Sequence, residues 1–304
     1  MKLNRLGKSD LLVSEIGFGC MSLPDEQSEA AALIHKAVEE GVNFFDTADL
    51  YNQGRNEELV GQALRGKRQQ VILATKVGNR WQTGEPGWVW DPSKDYIKHA
   101  VHDSLRRLGT DYIDLYQLHG GTIDDNFEDV ISAFEELREA GYIRWYGISS
   151  IRPNVIRPLV QQSNLVSVMM QYSILDRRPE ESILDFLAEH QVSVIARGPV
   201  AGGLLSDSAE NRIKDSGYLG YSPKQVLELV ATLKEQLTDA SRSLTQLALR
   251  YSLGHPAVAT VIPGASRMEQ LLHNVAAASS HPLSLAERDL IRQWSKANVY
   301  QQHR

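Results

Sequence analysis

Short apolar runs alternate with amphipathic stretches almost from one end of this chain to the other. Eight of the runs (Ile16–Gly19, Val42–Asp46, Val71–Lys76, Tyr112–Leu118, Ile143–Ile148, Val166–Met170, Val192–Ala196 and Val258–Ile262) read as buried strands. The helical patterns between them have recognisable ends. Ser28 caps a helix over Glu29 to Glu40 that Gly41 stops, Asp91-Pro92 opens one that Gly109 ends, and Phe127 to Ala140 stops at Gly141. This alternation predicts parallel βα units, and a count of eight favours a closed (β/α)8 barrel, the TIM barrel. A doubly wound open sheet is the competing topology. Its dinucleotide fingerprint is missing, because Gly17-Phe18-Gly19 is followed by Cys20-Met21-Ser22.

Two pieces exceed the repeat. Residues 2–13, turning at Gly7-Lys8-Ser9-Asp10, predict an N-terminal β-hairpin that plugs the barrel floor. Ser284 to Asn298 predicts an extra C-terminal helix, with Ser284 and Glu287 as a capping box. The polar, aperiodic stretch Ser206–Ser222 predicts a mobile loop. No linker interrupts residues 1–304, which read as a single barrel domain.

Bulk properties exclude several function classes. The 304 residues are 42% apolar and 23% charged, with a net charge of −6, so nothing suggests a nucleic-acid surface. Cys20, the single cysteine, rules out an internal disulfide framework and fits a reducing compartment. There is no secretory leader pattern, and no apolar run approaches the ~18 residues of a membrane helix. The expectation is a soluble cytoplasmic protein, a monomer or small homo-oligomer.

Asp46, Tyr51, Lys76 and His119 sit at or just past the ends of apolar strands, where ionised groups are costly unless paired. If the strands run side by side in one direction, a carboxylate, a phenol, an amine and an imidazole meet on one rim and form a proton-donating site. Singly, each has a plainer reading: a helix cap, a packing aromatic, a solvated lysine, a structural histidine. Their coincidence at successive carboxyl ends, where barrel active sites lie, argues for catalysis. His99 and His102 share a helix face at i, i+3, but without further Cys or carboxylate ligands they predict no metal site.

The segment Phe45-Asp46-Thr47-Ala48-Asp49-Leu50-Tyr51, followed by Asn56-Glu57-Glu58-Leu59-Val60-Gly61, resembles the signature of the aldo-keto reductase superfamily. The resemblance continues in order through Ala74-Thr75-Lys76, Asp114 to His119, Gly141 to Ser150 and Ile262 to Arg267, essentially the whole chain. It supports the barrel and maps the family's catalytic tetrad onto the same four positions. Tyr51 would be the general acid/base, protonating a carbonyl oxygen while hydride reaches its carbon. Lys76, held charged by Asp46, would assist it, because a nearby ammonium stabilises a phenolate. His119 would orient the carbonyl.

Hydride transfer needs a nicotinamide, since no side chain supplies hydride. The resemblance implies that Ser149, Ser150 and Gln171 hold its carboxamide, although Asn is commoner than Ser at the second position. Arg197, Gly198, Pro199, Val200, Gly203 and Leu204, in the Gly-rich run after the seventh strand, are candidate pyrophosphate contacts. Many relatives carry there an aromatic residue that stacks on the nicotinamide. Arg197 could stack by its planar guanidinium or reach a phosphate or substrate. Pro263, Gly264, Ser266 and Arg267 lead into a helix and form an anion site. In the family this segment grips the adenosine 2′-phosphate, with Gln270 and Asn274 near the adenine. Arg267 therefore favours NADPH/NADP+, with NADH weaker.

Trp81, Trp88 and Trp90, on the long loop after the third strand, and Met21 suggest an apolar wall for an aldehyde or ketone, or else a loop core. The short Gly120-Gly121-Thr122 loop suggests a pocket open beside His119. The expected activity is NADPH-dependent carbonyl reduction on a small-molecule carbonyl. The alternatives are a cofactor-binding regulatory or redox-sensing subunit and a phosphate-binding barrel isomerase that uses no nicotinamide.

Overall fold

The computed structural model describes residues 1–82 and 84–304. Eight strands (Phe18–Gly19, Phe44–Asp46, Ile72–Val77, Ile113–Leu118, Ile143–Ser149, Ser167–Gln171, Ser193–Arg197 and Val258–Ile262) lie side by side in chain order. Every neighbouring pair is parallel. Parallel bridges from Ile16 to Val261 and from Gly19 to Gly264 join the first strand to the eighth and bring the sheet round into a barrel. Helices fill the connections, as parallel pairing requires. The longest are Lys94–Leu108 and Pro223–Leu237.

Local chemistry sets the helix ends. Gly109 ends the helix Lys94–Leu108 with φ 63°, a left-handed position that suits glycine. The capping box at Ser284 and Glu287 forms as predicted and opens the terminal helix Leu285–Trp294. Two helix starts differ from expectation. Ser93, rather than Asp91-Pro92, caps Lys94–Leu108 by accepting from the Tyr96 N–H. The first helix runs Gln27–Glu39, and its cap is Glu26, whose carboxylate accepts from the Ser28 backbone N–H, so Ser28 lies inside the first turn.

Side chains of a barrel strand alternate between the lumen and the surrounding helices. Phe44, Ile72, Ala74, Leu115, Met169, Ile195 and Ile262 form one buried cluster inside the barrel. The hairpin strands Leu3–Arg5 and Leu12–Ser14 pair antiparallel, and Leu6, Leu11 and Val13 enter that cluster from below. The hairpin plugs the floor. Its turn fits closely, since Gly7 N–H donates to Ser193 Oγ at 2.7 Å.

Gly7 also has φ +56°, and a Cβ there would lie 2.2 Å from the Val166 carbonyl oxygen. Gly7→Ala should therefore destabilise the fold by about 2–4 kcal/mol, from left-handed strain plus overpacking. Guanidinium denaturation checks this: a lower midpoint at unchanged slope is expected, and an unshifted midpoint would contradict the account of the plug.

Candidate functional site

Stepping two residues along each inward-facing row, from the apolar cluster toward the carboxyl end, changes its chemistry. Phe44 gives way to Asp46, Ala74 to Lys76, Leu115 to Gln117, Met169 to Gln171 and Ile195 to Arg197. The strand register places these positions side by side: Lys76 opposite Gln117, and Gln171 opposite Arg197.

Lys76 has no exposed surface, and Asp46 is 2% exposed. The Lys76 ammonium donates to Asp46 Oδ2 at 2.6 Å, to the Thr47 carbonyl at 2.7 Å and to the Tyr51 hydroxyl at 3.2 Å. Its three N–H bonds thus meet three oxygens. Burial alone would lower the Lys76 pKa, but the Asp46 carboxylate and Tyr51 outweigh it and hold the pKa above the ordinary lysine value. Burial also raises the Asp46 carboxyl, against the pull of Lys76 and Gln117. Tyr51 opens a short turn, Tyr51–Gly54, in which Asn52 and Gln53 take left-handed φ of 49°, and its ring meets that of His119 edge-to-face at 5.9 Å. His119 follows the fourth strand, with its N–H on the Val77 carbonyl at 2.7 Å. Burial, with the charges of Lys76 and Arg197, pushes its pKa down to about 3, so the imidazole is neutral. The structure brings all four predicted catalytic residues together.

The supporting network was missed from sequence. Gln117 Nε2 donates to Asp46 Oδ1 at 3.1 Å from a fully buried position. A glutamine inside the apolar run Tyr112–Leu118 is the signal that could have found it. Behind Lys76, buried Glu57 accepts from Thr75 Oγ1 and from Arg107 Nε, each at 2.6 Å. Thr47 Oγ1 donates to Asn56 Oδ1 at 2.6 Å. Asn56 and Glu57 therefore brace the residues flanking Lys76 and Asp46. Asp114 lies near the opposite end of its strand, paired with Arg68 and Arg144.

The residues predicted to hold a cofactor line the rest of the rim. Ser149 and Ser150 are buried at the fifth strand's end. Ser150 Oγ accepts from the Arg152 N–H at 3.2 Å, a loop-capping role, whereas Ser149 Oγ has no such bond among the described residues. Gln171 Oε1 accepts from Arg197 Nη1 at 3.2 Å. Gly198, Gly202 and Gly203, beside Pro199, Val200 and Leu204, all have positive φ (62°, 67° and 93°), and a Cβ at Gly202 would meet nothing within 4 Å. After the eighth strand, the helix Met268–Ala276 begins at exposed Arg267 with no side-chain cap, a helix N-terminus suited to an anion. Gln270 Oε1 accepts from Ser266 N and Oγ at 3.0 and 3.1 Å, and Asn274 Nδ2 donates to the Gly264 carbonyl at 3.2 Å, just after Pro263. The amide side chains, the glycine-rich backbone and the exposed Arg267 are groups whose chemistry fits a dinucleotide.

The tryptophan loop is more ordered than its sequence suggests. Asn79–Arg80 and Val89–Trp90 pair as a small antiparallel hairpin. Trp81 Nε1 donates to the Asp49 carbonyl at 3.0 Å, and Trp90 Nε1 to Asp125 Oδ1 at 2.9 Å. The Trp90 ring lies against Gly78 and Gly120, 3.1 Å from where a Gly120 Cβ would stand. Trp90 thus packs against the large core cluster that includes Leu118, which bears out the loop-core reading for this tryptophan. Trp88 is 54% exposed and Met21 66%, and neither packs into the core.

Comparisons with known proteins agree with this geometry. The model of the aldo/keto reductase family matches residues 15–296. The chain is 53% identical over 308 residues to the uncharacterized oxidoreductase YqkF of Bacillus subtilis, covering 100% of both chains. It is 56% identical to the holo form of aldo-keto reductase AKR11C1 from Bacillus halodurans, with TM-score 0.94 over 100% of this chain and 99% of that one. A more distant relative, the NADH-specific methylglyoxal reductase of Escherichia coli, is 28% identical over 98% of this chain and 99% of its own length. The chain belongs to the aldo/keto reductase family of oxidoreductases.

Proposed function

We propose that the protein reduces aldehydes or ketones to alcohols with NADPH, using Tyr51 as the general acid. The observation that carries this reading is the buried ammonium of Lys76, bonded at once to Asp46 and to the Tyr51 hydroxyl. Because that hydroxyl oxygen accepts from Lys76, its own proton remains available for a carbonyl oxygen at the rim. Lys76 stabilises the phenolate left behind, and Asp46 keeps Lys76 charged and in place. Neutral His119, edge-on to Tyr51, orients the carbonyl without competing as an acid. When bound, the nicotinamide supplies the hydride. Gln171 and Ser149 would hold its carboxamide, the Gly198–Gly203 backbone its pyrophosphate, and Arg267 with Ser266 the 2′-phosphate. The exposed, uncapped Arg267 supports NADPH over NADH. Met21, Trp81 and Trp88 would be the substrate contacts.

Steady, multiple-turnover oxidation of NADPH with 4-nitrobenzaldehyde or methylglyoxal is expected. Single-turnover behaviour across a broad carbonyl panel would favour the regulatory-subunit reading instead. Tyr51→Phe should lower kcat by about 10²–10⁴-fold while leaving NADPH affinity nearly unchanged. Equal loss of binding and turnover would contradict the assigned role.

Arg267→Ala should weaken NADPH roughly tenfold, the loss of a charge-assisted contact to phosphate, with little effect on NADH. Competitive titration of the two nucleotides checks this, and parallel losses would remove the 2′-phosphate assignment.

His119 yields a stability prediction. The folded imidazole protonates only near pH 3, the unfolded one near its ordinary 6.5. Between those values the unfolded chain binds more protons, so stability rises with pH, by up to about 1.4 kcal/mol per pH unit from this group. From pH 6.5 down to 4, wild type should lose stability more steeply than His119→Gln. Parallel curves would mean that His119 titrates freely in the fold.

A further inference from the structure

The Gln171 amide is held at both ends. Arg197 Nη1 donates to its oxygen at 3.2 Å, and its nitrogen donates to the Tyr218 hydroxyl at 2.9 Å. A guanidinium can only donate, so the oxygen must face Arg197 and the NH2 must face Tyr218. The opposite flip would set N–H against N–H. One N–H and one lone pair of Gln171 are then left over, at fixed positions, for whatever sits before them.

Tyr218 belongs to the stretch that sequence reads as aperiodic, yet its part of that stretch is built. Tyr218 and Tyr221 exchange backbone bonds of 3.0 and 2.9 Å around Leu219 and Gly220, whose φ of 44° and 81° make a two-residue turn of the left-handed kind. Gly217, with φ +72°, precedes the turn so closely that a Cβ would lie 1.9 Å from the Tyr221 carbonyl oxygen. The C-terminal segment clamps it from outside: Lys296 N–H donates to the Tyr221 hydroxyl and Lys296 Nζ to the Gly220 carbonyl, each at 2.6 Å. The other end of the contact is equally fixed, because Gln171 is the last residue of the sixth strand and pairs with Arg197.

We propose that Tyr218 is a positioning residue for the nicotinamide, acting through Gln171. By fixing the flip of that amide together with Arg197, it determines which side offers the carboxamide a donor and which an acceptor. The proposal rests on the reading of Gln171 as a carboxamide contact.

Calorimetric titration of the protein with NADP+ and with 2′,5′-ADP tests it, since 2′,5′-ADP keeps the adenosine, the 2′-phosphate and the adjoining 5′-phosphate but has no nicotinamide. Tyr218→Phe should bind NADP+ roughly three- to tenfold more weakly, the loss of one neutral hydrogen bond, and 2′,5′-ADP as tightly as wild type. Unchanged NADP+ affinity, or equal weakening of both ligands, overturns the proposal. Adding Tyr218→Phe to Gln171→Ala should bring no further loss of NADP+ affinity, and additive losses would show that Tyr218 does not act through Gln171. A wild type that binds neither NADP+ nor NAD+ would instead remove the cofactor reading beneath the proposal.

Discussion

An ammonium with no exposed surface lies inside the barrel, and the surrounding structure can be understood as the means of keeping it there. Removing a lysine from water costs several kcal/mol unless its charge is met and its N–H bonds are satisfied. Lys76 has a carboxylate, a backbone carbonyl and a phenol within bonding distance, and these come from the second strand and the loop after it. Asp46 in turn takes a bond from Gln117 on the fourth strand, and Glu57 anchors Thr75, next to Lys76, to Arg107. Three parallel strands and two helices thus meet at one charge. Their register cannot slip by a residue without leaving it unpaired.

The alternation along the strands divides the labour. The same inward-facing rows that supply apolar side chains to the floor cluster supply polar ones two residues later, at the mouth. Stability and chemistry are stacked in a single lumen, with the apolar layer beneath excluding water from the pair above it. His119 is kept neutral by the same burial and by the cations beside it. Tyr51 therefore stands between the Lys76 ammonium, 4.8 Å from its ring centre, and the uncharged His119 ring, 5.9 Å away.

Much of this was legible in the sequence, for identifiable reasons. Strand rows buried on both faces are nearly all apolar, so a lysine or aspartate ending one stands out, and Asp46 and Lys76 were found that way. Gln117 was harder, because a neutral amide within Tyr112–Leu118 breaks the hydrophobic pattern only slightly. Ser28 was misplaced by two residues because a serine is a common cap and Glu26 a rarer one. Trp90 and Tyr218 were beyond reach for a different reason. What each touches, Gly120 and Gln171, is set by how separate loops fold back over the rim, and no local periodicity records that.

The hairpin that fills the floor makes the barrel a cup with a single mouth. Any two molecules that react inside such a cup must pass through the same opening. The hairpin, remote from Tyr51 and His119, thereby leaves the carboxyl-end rim as the one face of the lumen open to approach.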